Sequence, residues 1–211
     1  IGVNSGTDAI KLSLKALNIG PGDEVITVAN TFVATVGAIC ELGATPVFVD
    51  CDDTFCMNVK LVEEKITKNT KALLPVHYTG CMTDMRAINS LSDKYKIPVV
   101  EDACQSILGA IDGKNAGTWG STGAFSLHPL KNINVWSDGG VIVTDDDELC
   151  KKLRLLRNHG FEDRDTVVMM GCNSRLDTIQ AVVGNWLLPQ AQSISDKRRE
   201  NAKYLDYGFK E

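Results

Sequence analysis

Short, almost continuously apolar runs alternate with amphipathic stretches along the first half of this sequence, and that alternation restricts the possible folds more than any other feature. Glu24–Val28, Thr45–Asp50, Ala72–Val76 and Ile97–Glu101 are the apolar runs, and each is too short for a helix of ordinary length. Between them, Asp8–Leu17, Thr31–Leu42, Val59–Ile66 and Met85–Tyr95 carry helical patterns, with Gly20-Pro21-Gly22-Asp23 and Gly43 as stop signals. A strand that is apolar on both faces must be covered on both faces. The spacing therefore predicts an α/β domain with a mostly parallel sheet sandwiched by helices.

The pattern changes after Asp102. Gly109, Gly113, Gly117, Gly120 and Gly123 break the chain into short pieces that end in an expected strand, Gly123–Leu127. Gly139–Thr144 is a further strand and Asp146–Asn158 a helix, whereas Gly160–Gly171 is loop-rich. Leu176–Lys203 is predicted as one or two long helices interrupted at Pro189. Ile1–Val3 is expected to be the tail of a strand whose beginning is missing, and the charged helix from Lys197 to Glu211 runs out without a cap.

Composition excludes some classes of function. The net charge is -5 with both signs interspersed, so no basic stripe is available to follow a nucleic-acid backbone. No apolar stretch approaches the length of a membrane span. The seven cysteines lie mostly within apolar segments and form no Cys-x-x-Cys pair, which argues for buried reduced thiols of a cytoplasmic protein and against a structural zinc site.

Three polar clusters fall where strands end, the edge at which open α/β sheets bind ligands. Asn4-Ser5-Gly6-Thr7-Asp8 joins a strand end to a helix start and offers amides and hydroxyls to a phosphate, or simply caps the helix. Glu101-Asp102-Ala103-Cys104-Gln105 ends an apolar strand, and its aspartate suits either a protonated ring nitrogen or an N-cap. In Phe125-Ser126-Leu127-His128-Pro129-Leu130-Lys131-Asn132 a lysine sits between a strand-end serine and the Gly139-Gly140 pair. A lone loop lysine is ordinarily solvated, but this grouping suggests a constrained loop that holds one amine inward. Together the clusters supply what a pyridoxal-phosphate site needs: a Schiff-base lysine, a carboxylate that keeps the pyridinium protonated, and a phosphate cradle.

These stretches resemble consecutive motifs of the DegT/DnrJ/EryC1/StrS aminotransferases, as do Asn30-Thr31-Phe32-Val33-Ala34-Thr35, Pro75-Val76-His77-Tyr78, Asp138-Gly139-Gly140 and Gly171-Cys172-Asn173-Ser174-Arg175-Leu176-Asp177. They occur in family order over essentially the whole chain. The resemblance implies the large domain of a fold-type-I pyridoxal-phosphate transferase over residues 1–190, short of its N-terminal segment. Residues 191–211 would then begin the helix leading to an absent small C-terminal domain. It assigns Lys131 to covalent cofactor binding and proton transfer, Asp102 to the pyridinium nitrogen, and Gln105 to the pyridoxal hydroxyl or ring face. It also assigns Phe32 to ring stacking and Gly6, Thr7 and Ser126 to the phosphate. Asn173 would reach the phosphate of a neighbouring subunit, making the site shared across a homodimer. His77, His128, His159 and Arg175 receive no definite role. The His-Pro-Leu-Lys run varies the more frequent aromatic-Pro-Thr-Lys form of the family.

The activity so implied is amino transfer, with glutamate as donor, to a nucleotide-linked keto-sugar, the cofactor passing through pyridoxamine phosphate. Two alternatives share the scaffold. A sugar dehydratase of the family would resemble a version with histidine in place of Lys131. A catalytically silent homologue would be marked by loss of Lys131 or Asp102, and both are present. A nicotinamide-dependent oxidoreductase is disfavoured because Gly2-Val3-Asn4-Ser5-Gly6-Thr7 lacks the Gly-x-Gly-x-x-Gly spacing.

Overall fold

The structure, a computed structural model, describes residues 1–209. The strands β1 (Gly2–Val3), β2 (Glu24–Val28), β3 (Thr45–Val49), β4 (Thr70–Leu74) and β5 (Val100–Asp102) come from the first half of the chain. A short hairpin, β6 (Ala110–Ile111) and β7 (Lys114–Asn115), precedes β8 (Thr122–Ser126) and β9 (Gly140–Val143). The ladders run β3-β2-β4 and β5-β8-β9-β1. Parallel bridges Leu73–Val99 and Val76–Asp102 join the two halves at the β4–β5 seam. All pairings along this sheet are parallel except those of β9, which runs antiparallel to both β8 and β1.

Residue parity along the strands sorts the core into two layers. Val25, Ala72, Leu74 and Val100 pack beneath α1 (Gly6–Ala16), α2 (Val33–Cys40) and α4 (Asp147–Leu156). Their neighbours Ile26, Leu73 and Val99 pack on the opposite face with Met85 and Ile88 of α3 (Met85–Tyr95). The central strands are buried along their length, as the continuous apolar runs require. Strand β3 is an edge strand that exposes Phe48 and accommodates Pro46, whose missing N–H no interior strand would tolerate.

Helix starts follow local chemistry. Ser5, Asp84 and Asp146 accept hydrogen bonds from the amides of Asp8, Ala87, and Glu148 and Leu149 respectively. Pro189 lies in a 3-10 turn, Leu188–Gln190, that joins α5 (Thr178–Leu187) to α6 (Ala191–Gly208). Helix α6 ends at Gly208 with Phe209 as its C-cap, and positions 210 and 211 of the helix expected over 191–211 lie outside the described residues.

Some boundaries differ from expectation for identifiable reasons. The helix expected over Val59–Ile66 is instead two 3-10 turns, Val59–Leu61 and Glu63–Lys65, closed by bonds such as Leu61 N–H to the Asn58 carbonyl. Only Val62 of this stretch is fully buried, so no apolar stripe holds a regular helix, and Val59, Val62 and Ile66 are β-branched. Strand β4 ends at Leu74 because Pro75 has no N–H, and β5 begins only after Pro98, so that it includes Asp102. The hairpin turn at Asp112-Gly113, with φ of 51° and 77°, had a legible signal in its Asp-Gly pair. No helix of the described residues is long and apolar enough to cross a membrane, and no metal-ligand cluster is found among them.

Glu101 shows how parity separates two adjacent carboxylates. Its side chain is fully buried on the face opposite that of Asp102. It accepts from His77 Nε2 at 2.9 Å and from the amides of Gly117, Trp119 and Gly120 at 2.8, 2.6 and 2.7 Å. Because His77 Nδ1 accepts from the Thr83 amide, Nε2 carries the proton. Glu101 thus fixes the 117–120 turn, and His77 belongs to this network. Glu101→Ala would leave buried donors unpaired, and we expect a loss of about 3 kcal/mol in urea unfolding with an unchanged m-value. Glu101→Gln should lose less, since its amide oxygen still accepts.

Candidate active site

A cleft of about 210 Å³ opens beyond the carboxyl ends of β5 and β8, lined by Cys104, Gln105, Ser126 and Lys131 among others. The cleft is built by close backbone approach. A Cβ on Gly6 would lie 2.7 Å from Ser126 Cβ and 2.9 Å from Cys104 Sγ, and one on Gly140 would lie 2.3 Å from the Ser5 carbonyl oxygen. Glycine at both positions lets the first turn of α1 settle against the ends of β8 and β9. The leading amides of α1, those of Gly6 and Thr7, lie beyond the helix's own bonding pattern, and Gly6 packs against Ser126.

Lys131 sits in the loop after β8, its amide bonded to the His128 carbonyl at 2.8 Å. Its amine makes no ion pair among the described residues. Gln105 accepts from the Thr79 amide at 3.0 Å, which leaves the NH2 end of its side chain available to a ligand. Thr79 holds a left-handed φ of 51° to reach it.

Asp102, at the end of β5, is clamped on both carboxylate oxygens. Oδ1 accepts from the Cys104 amide at 3.1 Å and Oδ2 from Thr35 Oγ1 at 2.7 Å. Thr35 comes from the first turn of α2, and the helix is preceded directly by Phe32, which is 65% exposed. The structure therefore brings Gln105, Ser126 and Lys131 to one cleft, with Gly6 packed against Ser126 and Cys104 and Asp102 bonded to the Cys104 amide, while Phe32 is exposed at the start of α2 and does not line the cleft.

Asn173 is not brought to this cleft by its own chain. It is exposed and pairs with Asn158 in an antiparallel bridge. Its neighbour Ser174 is buried, donating to Asp8 Oδ2 at 2.7 Å and accepting from the Asn4 amide at 3.1 Å, so the segment lies beside the start of α1. Arg175 donates to Asn158 Oδ1 at 2.9 Å. His159 packs edge-on against Phe161, and His128 accepts from the Leu130 amide within its own loop. Sequence reasoning missed Thr35 and Ser174 as positioning groups, although both lie in motifs singled out there. The Thr31-x-x-x-Thr35 spacing at a helix start was the available signal.

Cys104 reports on the electrostatics of the cleft. Burial and the adjacent Asp102 carboxylate push its thiol well above the ordinary range, and the Lys131 charge offsets this in part. Alkylation requires the thiolate. Iodoacetamide at pH 8 should therefore modify the exposed Cys40 while Cys104 stays largely free, as read by peptide mass spectrometry. The pH midpoint for Cys104 should lie above that for Cys40, and equal midpoints would contradict this electrostatic picture.

Known proteins share this arrangement of sequence and fold. The chain is 47% identical over 203 residues to UDP-N-acetyl-3-dehydro-alpha-D-glucosamine 3-aminotransferase of Acidithiobacillus ferrooxidans, covering 96% of this chain and 55% of that protein. It is 42% identical over 209 residues to dTDP-3-amino-3,4,6-trideoxy-alpha-D-glucose transaminase of Micromonospora megalomicea, covering 98% and 56%. The solved structure of Spr1654 from Streptococcus pneumoniae in its PLP form matches with a TM-score of 0.91 at 30% identity, covering 99% of this chain and 59% of that one. A PMP form of the same protein matches with a TM-score of 0.92 at 29% identity, with the same coverage. The chain spans about half the length of the curated relatives it matches. The family model for the DegT/DnrJ/EryC1/StrS aminotransferases matches residues 1–211, and the chain belongs to that family.

Proposed function

We propose that this protein is a pyridoxal-phosphate-dependent aminotransferase that passes an amino group from glutamate to a nucleotide-linked keto-sugar. The observation that carries the reading is a cleft lined by Ser126 and by Lys131, which has no ion-pair partner among the described residues, with the start of α1 packed against Ser126 and a clamped aspartate next to Cys104. The donor set suits the cofactor. The Gly6 and Thr7 amides and the Ser126 hydroxyl suit a phosphate, and the missing Cβ at Gly6 is what lets the start of α1 approach Ser126 closely enough for these donors to act together. The names of the Acidithiobacillus and Micromonospora relatives, one a UDP-sugar and one a dTDP-sugar enzyme, favour a nucleotide-linked sugar as acceptor.

When bound, pyridoxal phosphate supplies an electron sink that acidifies the carbon attached to the transferring nitrogen. The residues of this chain then divide the remaining work. Lys131 would hold the cofactor covalently and would supply the amine that moves the proton between the cofactor carbon and the substrate carbon. Asp102 would retain the proton on the ring nitrogen by charge, while Gln105 would lie by the ring hydroxyl or ring face. Phe32 would stack on the ring. Residues 1–190 form the cofactor-binding part of the protein, and α6 leads onward to a further domain. Lys131 also separates this reading from a sugar dehydratase, in which histidine would replace it.

Borohydride reduction of the cofactor-loaded protein should fix the pyridoxyl group on Lys131, as located by mass spectrometry, and its appearance on another lysine would overturn the assignment. Lys131→Ala should lower amine transfer by roughly 10²–10⁴-fold from loss of proton transfer alone.

Asn173 lies exposed beside the start of α1, which fits a role in the phosphate site of a second subunit. In a homodimer with shared sites, mixing Lys131→Ala subunits with Asn173→Ala subunits should partly restore activity, since each mixed dimer contains one undamaged site. Absence of recovery despite demonstrated subunit exchange would remove Asn173 from a shared site.

A further inference from the structure

Thr35 and Thr31 form a hydroxyl pair directed at Asp102. Thr35 Oγ1 donates to Asp102 Oδ2 at 2.7 Å, and Thr31 Oγ1 lies 2.7 Å from Thr35 Oγ1. A hydroxyl has one hydrogen to give. Thr35 gives it to the carboxylate, so Thr31 is the donor to Thr35 and the relay runs in one direction, Thr31 to Thr35 to Asp102. Such chains polarise each member and strengthen the terminal bond.

The placement of this pair is unusual for threonine in a helix. A helical threonine commonly returns its hydroxyl to a carbonyl one turn back. Thr35, 1% exposed, instead reaches sideways from α2 to the end of β5. Helix α2 has no side-chain N-cap, because Phe32 occupies that position and cannot accept a bond. Neither hydroxyl therefore serves as a cap. The carboxylate it meets is restrained on its other side by the Cys104 amide, which bonds Oδ1 at 3.1 Å. Two donors on opposite oxygens fix the plane of the carboxylate, whereas one alone would allow rotation about the Cβ–Cγ bond.

We infer that Thr35, supported by Thr31, is a positioning residue that aligns Asp102 with the ring nitrogen of the cofactor and thereby sets the strength of the electron sink. The inference rests on the assignment of a pyridoxal-phosphate site. It goes beyond that assignment because neither threonine would touch the reacting atoms.

The test compares Thr35→Val, Thr35→Ser and Asp102→Asn with the unaltered protein, each loaded with pyridoxal phosphate carrying ¹⁵N in the ring. Thr35→Val keeps the shape of the side chain and removes the donor, and Thr35→Ser keeps the donor. The ring-nitrogen chemical shift and the single-turnover rate with glutamate are measured for each, and urea unfolding checks that each variant is folded. We expect Thr35→Val to move the shift toward that of an unprotonated ring and to slow the half-reaction about tenfold or more. Thr35→Ser should retain the parent shift and a rate within about threefold. Introduced into Asp102→Asn, Thr35→Val should add little further loss, because its effect acts through that carboxylate.

A folded Thr35→Val protein with the parent's shift and rate would overturn the inference, as would a full additional loss in the double variant. Should Thr35→Val fail to fold, Thr31→Val applies the same two readouts one step further from the core, and an unchanged shift and rate there would equally overturn the relay. Either failure leaves the cofactor reading intact so long as borohydride fixes the cofactor on Lys131. Absence of that adduct in the unaltered protein would instead defeat the cofactor reading itself.

Discussion

The seam between β4 and β5 fixes where the cleft can form. Pro75 and Pro98 remove two N–H groups from the strands that meet there, so a continuous ladder is impossible. Pairing survives through separate bonds. The Leu73 amide donates to the Pro98 carbonyl, the Asp102 amide to the Pro75 carbonyl, and the His77 amide to the Asp102 carbonyl. Both backbone groups of Asp102 are thereby occupied. Its side chain can leave the strand only toward the face covered by α1 and α2, where Thr35 receives it.

The same seam turns Glu101 the other way. Two carboxylates adjacent in sequence would repel if they shared a face, but the pleat separates them and each meets a different set of donors. Glu101 organises the turn at Gly117, Trp119 and Gly120. That turn lies directly against the start of β8, since a Cβ on Gly123 would come within 2.2 Å of the Gly117 carbonyl oxygen. The buried carboxylate on the far face thus sets the level of β8, and β8 in turn carries Ser126 to the cleft. One member of the pair supports the scaffold and the other is held by Thr35 and the Cys104 amide.

Much of this was legible in the sequence because buried parallel strands leave continuous apolar runs and because clusters at strand ends keep their order. The parts that were not legible depend on three-dimensional compensation. Val59–Ile66 has helical spacing, but only tertiary contact could show that just Val62 is buried there, too little to sustain a helix. Asp102 was expected beyond its strand, because the sequence does not reveal that β5 starts late, after Pro98, and pairs with β8 up to Asp102. Thr35 carried no sign of its target, which lies 67 residues away along the chain. Asn173 is exposed and outside the lining of its own cleft, and nothing in the sequence marks that placement.

The charge layout of the cleft follows from these placements. The start of α1 directs its amides, and with them the positive end of the helix dipole, toward the side of the cleft where Ser126 lies. Lys131 adds a cation from the loop after β8, while the carboxylate of Asp102 is held back by Thr35 and the Cys104 amide. Between the cation and the anion sits the thiol of Cys104. Burial and Asp102 push it up, so it remains neutral and does not draw the lysine into an ion pair. A ligand with a phosphate at one end and a basic ring nitrogen at the other matches this polarity in one orientation only. Reversing it would set the phosphate against Asp102 and the ring nitrogen against the helix start, opposing the local field at both ends.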